Sequence, residues 1–139
     1  MRVPIQPGDE QFAGVCFYHG TCFEGLACGP AMTKRWGAKP AELPPEHPAW
    51  DMEAHYLAAG LVNSVLSVMP KRVIVGGGVM HRPSTLELTR KYFLELITGY
   101  IDVSSFMDNR TRQYIVAPGC GEHSAVLGAL QIAADQFPM

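Results

Sequence analysis

Three soft metal-binding side chains, Cys16, His19 and Cys22, stand at spacings of three residues, and a carboxylate, Glu24, follows two positions later. Thiolate and imidazole are the donors that suit zinc in softness and charge. A closed structural zinc site uses four such donors, and this loop supplies three. Cys28 and a water molecule are the local alternatives for the fourth position, and the site is otherwise completed from elsewhere. Beside such a clip, Glu24 reads as a carboxylate held rigidly to accept hydrogen bonds from a ligand's hydroxyl groups. Without the clip it is one more surface acid.

A second chemical feature is Gly76-Gly77-Gly78, which follows the short β-branched run Arg72-Val73-Ile74-Val75. Glycines at the carboxyl end of a buried strand let a flat ligand or a phosphate approach the main chain. The segment is neither a Walker A loop nor the dinucleotide fingerprint, because no lysine and no third spaced glycine follow. Pro118-Gly119-Cys120-Gly121 forms another glycine turn after a strand, and two adjacent turns would enclose one ligand. Cys120 reads as a small residue between glycines. His81 and His123 lie near the expected cleft without an assigned role, while His47 and His55 flank a helix start and read as structural or exposed.

These groups need elements to position them. Residues 1–49 carry most of the prolines and three of the four cysteines, which predicts a loop-rich region that requires a clip or a partner surface. A helix within 25–36 is expected there, weakened in its middle by Pro30. From residue 49 the pattern is regular. Trp50, Ala54, Leu57, Leu61, Val65 and Val68 define one face of a helix that ends before Pro70. A buried strand is expected at 72–75. A helix over 85–98 follows, opened by a capping box of Ser84 and Glu87 and stopped by Gly99. A second strand at 114–117 and a small-residue helix at 122–136 complete the alternation of a three-layer α/β domain with parallel strands.

The whole chain bounds these readings. At 139 residues it is about one domain, with 47% hydrophobic and 17% charged residues. A net charge of −2 offers no basic stripe for nucleic acid or an anionic membrane. Lys34, Arg35 and Lys39, the densest basic group, read as a solvated loop. No stretch of about 18 apolar residues is present to predict a transmembrane helix. Nor does the N-terminus show the apolar run of a signal peptide. Cysteines sharing a short loop with a histidine read as reduced thiols, so a cytoplasmic protein is expected.

The run from Gly14 to Ala27, Gly-Val-Cys-Phe-Tyr-His-Gly-Thr-Cys-Phe-Glu-Gly-Leu-Ala, resembles the zinc-motif region of bacterial fructokinases of the ROK (repressor, open reading frame, kinase) family. The likeness continues through Gly29-Pro30-Ala31, Arg35-Trp36-Gly37, Glu42-Leu43-Pro44-Pro45, His47-Pro48-Ala49-Trp50, Val75-Gly76-Gly77-Gly78-Val79-Met80, and Pro118, Gly121 and Gly128-Ala129. It implies the carboxyl-terminal lobe of an actin-like (ribonuclease H-like) ATPase. Residues 1–49 would form its zinc-motif and sugar-side region, and residues 50–139 its nucleotide side. The implied activity is transfer of the γ-phosphoryl of ATP to a hexose, fructose favoured, with magnesium. Cys16, His19 and Cys22 carry over as structural zinc ligands, Glu24 as a sugar contact, and Gly76, Gly77, Gly78, Gly119 and Gly121 as the nucleotide side.

The same resemblance implies that the amino-terminal lobe, with its phosphate loop, catalytic aspartate and Glu-x-Gly-His segment, is absent from these residues. The isolated chain is then expected to be inactive, and to form a homodimer or associate through the exposed lobe interface. Two other readings stay open: the sugar-sensing domain of a ROK-type transcription regulator, and a non-catalytic, zinc-stabilised interaction domain.

Overall fold

A long helix, α3 (Ala49–Val68), is the spine on which both halves of the sequence are built. A computed structural model describes residues 1–97, 100 and 109–137. Before α3 come the short helices α1 (Phe23–Leu26) and α2 (Gly29–Trp36) and a 3-10 turn at Pro40–Glu42. After it come β1 (Val73–Ile74), a 3-10 turn at Gly78–His81, α4 (Pro83–Ile97), α5 (Asn109–Tyr114), β2 (Ile115–Val116), a 3-10 turn at Gly121–His123, and α6 (Ser124–Gln136). The expected stop at Gly99 lies outside the described residues.

The single helix expected within 25–36 is two helices. The chain breaks at Ala27–Cys28, and Pro30 sits in the first turn of α2, where its missing N–H costs nothing. Proline here opens a helix instead of weakening one. Gly37 closes α2 in the left-handed conformation, with φ of 73°.

The expected capping box at the start of α4 is also replaced. The helix begins at Pro83, Arg82 is the extended residue before it, and the Thr85 N–H bonds to the Arg82 carbonyl at 3.1 Å. Glu87 instead receives Arg90 at 2.8 Å and Arg112 at 3.2 Å. Arg90 in turn donates to the Ile115 carbonyl, so this chain of charges ties α4 to β2.

The strands pair in parallel, Val73 with Ile115 and Ile74 with Val116, as the alternation predicts. They are shorter than expected because Tyr114 still belongs to α5. One face of the pair packs on α3 and α4, where Ala58, Val65, Phe93, Ile97 and Ile115 are buried together. The other face is open: Ile74 is 65% exposed, and α6 contributes no buried residue. Among the described residues the α/β arrangement therefore has two layers, not three.

The helix face read from sequence is only partly the buried one. Trp50, Ala54 and Val65 are buried, but Val68 is exposed, and Glu53, Tyr56, Ala58, Ala59 and Gly60 are buried as well. A helix that packs on several sides buries more than one stripe. Its opposite side meets Val3 and Leu26 through Tyr56 and Ala59, and its first turn meets Met32 and Leu43 through Ala49 and Trp50. His47 opens the helix by accepting the Ala49 N–H on Nδ1 and stands edge-on to Trp36, while His55 lies against Tyr92.

The basic cluster is the largest correction to the sequence reading. Arg35 is not solvated. Its guanidinium makes two bonds to the Asp9 carboxylate, at 2.8 and 3.0 Å, and a third to the Leu26 carbonyl at 3.2 Å. It also lies over the Phe12 ring, 4.2 Å from the centroid. The Tyr56 hydroxyl donates to Asp9 at 2.6 Å and accepts the Gln6 N–H, and burial with the Asp9 bond pushes its pKa up to about 12. Lys34 is used too, donating to the Gly14 carbonyl at 3.0 Å.

Removing one partner of a buried, hydrogen-bonded ion pair strands the other charge, at a cost of about 3–5 kcal/mol. Arg35→Ala is expected to destabilise the chain by that amount in urea unfolding followed by circular dichroism. Arg35→Ala with wild-type stability would sink the assignment of Asp9–Arg35 as the clasp of residues 1–49.

Candidate functional site

The loop that carries the soft ligands is shaped by glycine. The Gly20 carbonyl sits between Gly14 and Gly25 so closely that a Cβ on Gly14 would lie 2.1 Å from that oxygen, and one on Gly25 1.8 Å from it. No other residue fits at either position. The Val15 N–H bonds to the Gly25 carbonyl and the Gly20 N–H to the Cys16 carbonyl, which closes a tight turn over residues 16–20. Arg2 bonds to the His19 carbonyl and to Thr21 Oγ1, holding the far side of the turn.

This turn brings Cys16, His19 and Cys22 together, with one donor atom from each within 4.8 Å of the others. Cys16 Sγ and His19 Nδ1 are 3.7 Å apart. A tetrahedral zinc, with bonds of about 2.3 Å to sulfur and about 2.0–2.1 Å to nitrogen, separates its donors by roughly 3.5–3.8 Å. The Cys16–His19 pair therefore has the spacing of two donors on such a metal, and Cys22 completes the group within 4.8 Å. The Gly25 backbone N–H is the main influence that lowers the Cys22 thiol below its ordinary pKa; burial opposes it, and Cys16 and the Glu24 backbone add to the lowering. Cys28, the local candidate for a fourth ligand, is not brought into the group. It caps α2, and burial raises its pKa.

Glu24 is exposed, in the first turn of α1, with Oε2 3.7 Å from Cys16 Sγ. The preceding Phe23 fixes α1 by packing its ring on α3 at Gly60, where an added Cβ would come within 2.4 Å of the ring. The Cys16–Cys22 loop, α1 and α3 thus set one carboxylate at the surface. Below lies a group that the sequence reading missed: Glu53 is 1% exposed, and neither carboxylate oxygen has a hydrogen-bond partner among the described residues. Desolvation raises its pKa to about 7, against the attraction of Arg35. The signal available in the sequence was the place of Glu53, three residues after Trp50 and four before Leu57, on the apolar face of the helix.

The two glycine turns meet at the carboxyl ends of β1 and β2. A cavity of about 550 Å³ is lined by Gly76, Gly77 and Gly121 together with Met80, Pro118 and Ser124. Gly76 lies against Pro118, whose Cγ would be 2.8 Å from an added Cβ. Gly78 faces away, into a separate cavity of about 720 Å³, and Gly119 lines neither. Cys120 and His123 are exposed. Three of the five glycines named from sequence thus line one cavity.

The family model of the ROK family matches residues 4–136. A Bacillus subtilis (strain 168) protein is 38% identical over 125 residues, covering 90% of this chain and 42% of the relative. The fructokinase of Lactococcus lactis subsp. cremoris is 35% identical over 127 residues, or 91% of this chain and 42% of that enzyme. The fructokinase of Pediococcus pentosaceus is 36% identical over 133 residues, or 96% of this chain and 44% of that enzyme. The chain spans about two fifths of the length of these relatives.

Glu53 makes stability depend on pH with a definite sign. Its folded pKa, about 7, lies above the ordinary 4.5, so its penalty is absent below about pH 4.5, grows as pH rises, and levels off above 7. Glu53→Gln is expected to stabilise the chain at pH 8 by up to about 3 kcal/mol, with the gain vanishing near pH 4.5. Thermal melts across that range check it. A gain that does not change with pH would mean that the carboxyl group titrates alike in the folded and unfolded chain, and so is not buried.

Proposed function

The chain belongs to the ROK family, and on that premise we propose that it is the carboxyl-terminal lobe of an actin-like, ATP-dependent sugar kinase of fructokinase type. The observation that carries this reading is the shared cavity of Gly76, Gly77 and Gly121 at the ends of two parallel strands, the position at which open α/β sheets hold nucleotides. Residues 1–49 form the sugar side and residues 50–139 the nucleotide side. The relatives named as fructokinases support the choice of a ketohexose as acceptor and ATP as donor.

Each part of the chain has a role in this reading. Glu24 accepts a hydrogen bond from a sugar hydroxyl and fixes the ring's orientation. Cys16, His19 and Cys22 hold a structural zinc, which ties the loop to the base of α1 and limits the positions open to Glu24. The backbone of the glycine turns borders the nucleotide, which enters with magnesium. Phosphoryl transfer depends mainly on positioning and on neutralising charge around in-line oxygens. The general base and the phosphate loop are assigned to a lobe outside these 139 residues, so the isolated chain binds without turnover. Cytoplasmic location and self-association through the uncovered apolar surface belong to the same proposal.

Two measurements test it. Equilibrium dialysis of the 139-residue chain against magnesium ATP is expected to show binding that Gly121→Val abolishes, while a coupled assay with fructose shows no product. Turnover by the chain alone overturns the division of roles, and failure to bind ATP overturns the nucleotide site. For the metal, the chain is expected to carry one zinc per molecule, and Cys16→Ser to lose it. Chelation should open residues 14–25 to protease while α3, α4 and the Asp9–Arg35 clasp stay protected. Identical digestion with and without chelator rules out the zinc clip.

A further inference from the structure

The Cys16–Cys22 pair admits a second chemistry besides metal binding. All four cysteines are free thiols, and the sulfurs of Cys16 and Cys22 lie within 4.8 Å of each other. A disulfide joins its sulfurs at about 2.05 Å. Turning a cysteine side chain from one staggered position to the next carries its sulfur roughly 3 Å, so the gap is within reach of side-chain rotation.

The surrounding backbone favours that movement. Cys16 pairs with Gly20 inside the turn and Cys22 pairs with Arg2, so the chain on both sides is already closed. Gly25 leaves room beside Cys16, since a Cβ placed there would stand 3.0 Å from the Cys16 Cβ. The other two cysteines are set apart. Cys28, at the start of α2, stays outside the group, and Cys120 lies in the glycine turn after β2.

The two thiols differ in access. Cys16 is half-buried, whereas Cys22 is only 6% exposed. Two proton acceptors stand beside the Cys16 sulfur, His19 Nδ1 and Glu24 Oε2, each at 3.7 Å. An oxidant arriving from solvent therefore meets Cys16 first, with a second sulfur behind it.

We propose that Cys16 and Cys22 form a reversible disulfide when exposed to a peroxide, and that this bond and the zinc exclude one another. The Cys16 thiolate attacks one peroxide oxygen. The O–O bond breaks, hydroxide leaves, and Cys16 becomes a sulfenic acid. The Cys22 thiolate then attacks that sulfur, the S–O bond breaks, and a second hydroxide leaves. The two thiol protons convert the hydroxides to water, so the sulfurs lose two electrons and hydrogen peroxide gains them. Two of the three soft donors are consumed. Cys22 is also the residue at which α1 begins, two positions before Glu24, so the bond acts at the base of the helix that carries the proposed sugar contact. The exclusion of zinc rests on the zinc reading above, while the disulfide rests on the two sulfurs alone.

The test treats the metal-free 139-residue chain with one equivalent of hydrogen peroxide, counts thiols by alkylation and locates the link by peptide mass mapping. The wild type and a Cys28→Ser, Cys120→Ser double variant are both expected to lose two thiols as a Cys16–Cys22 link within one chain, which dithiothreitol reverses. Cys22→Ser should stop at a Cys16 sulfenic acid that dimedone traps. Chain loaded with zinc should release it to a chromogenic chelator as the link forms. Intact thiols, oxidation to sulfinic acid, or a link that engages Cys28, Cys120 or a second chain overturns the disulfide. Zinc that stays bound after the link has formed overturns the exclusion. A chain that forms the link without ever holding zinc supports the disulfide and removes the metal reading alone.

Discussion

The Asp9–Arg35 ion pair is the constraint on which the amino-terminal third depends. Taken alone, two charges withdrawn from water would destabilise a fold. Here each charge has three hydrogen bonds: Asp9 receives Arg35 twice and Tyr56 once, and Arg35 gives a further bond to the Leu26 carbonyl. That carbonyl ends α1, Arg35 belongs to α2, Tyr56 to α3, and Asp9 to a turn with little regular structure. Four segments therefore share one polar centre. Each bond removes a need for the apolar burial that this proline-rich region lacks.

The same centre determines how much a metal has to do. Lys34, next to Arg35 on α2, bonds to the Gly14 carbonyl at the entrance of the Cys16–Cys22 loop. Phe23 packs on Gly60 at its exit. The two ends of the loop are thus fixed by α2 and α3, and Gly14 and Gly25 enclose Gly20 between them. What remains free is the turn at Phe17 and Tyr18, which are 92% and 83% exposed. A zinc held by Cys16, His19 and Cys22 would act on that turn. The sequence alone suggests a clip that orders the whole of residues 1–49, whereas the ion pair already orders most of them.

Legibility followed the range of the interactions. The α3 helix, the parallel strand pair and the convergence of the glycine turns depend on local period and on rules of connection, and all were readable from the sequence. So was the grouping of Cys16, His19 and Cys22, because a seven-residue loop leaves few other arrangements. Arg35 was misread because Asp9 is 26 positions away and nothing in its neighbourhood marks it as buried. Glu87 was misread for a similar reason: a local cap competes with Arg90 and with Arg112, which lies 25 residues on. The second stripe of α3 escaped because helix period identifies one face, and not how many neighbours a helix has.

The third layer that the alternation implied bears directly on the proposed function. α6 presents Val126, Leu130 and Ile132 at 61–66% exposure, beside a sheet face on which Ile74 is equally open. Helices of this length are marginal in water without an apolar face to bury. The first turn of α6 also lines the glycine cavity through Ser124 and Ala125. A surface packed on α6 would therefore also bear on the glycine cavity. The proposed two-lobed kinase supplies such a surface, so that ordering of α6 and closure of the nucleotide site would be one event.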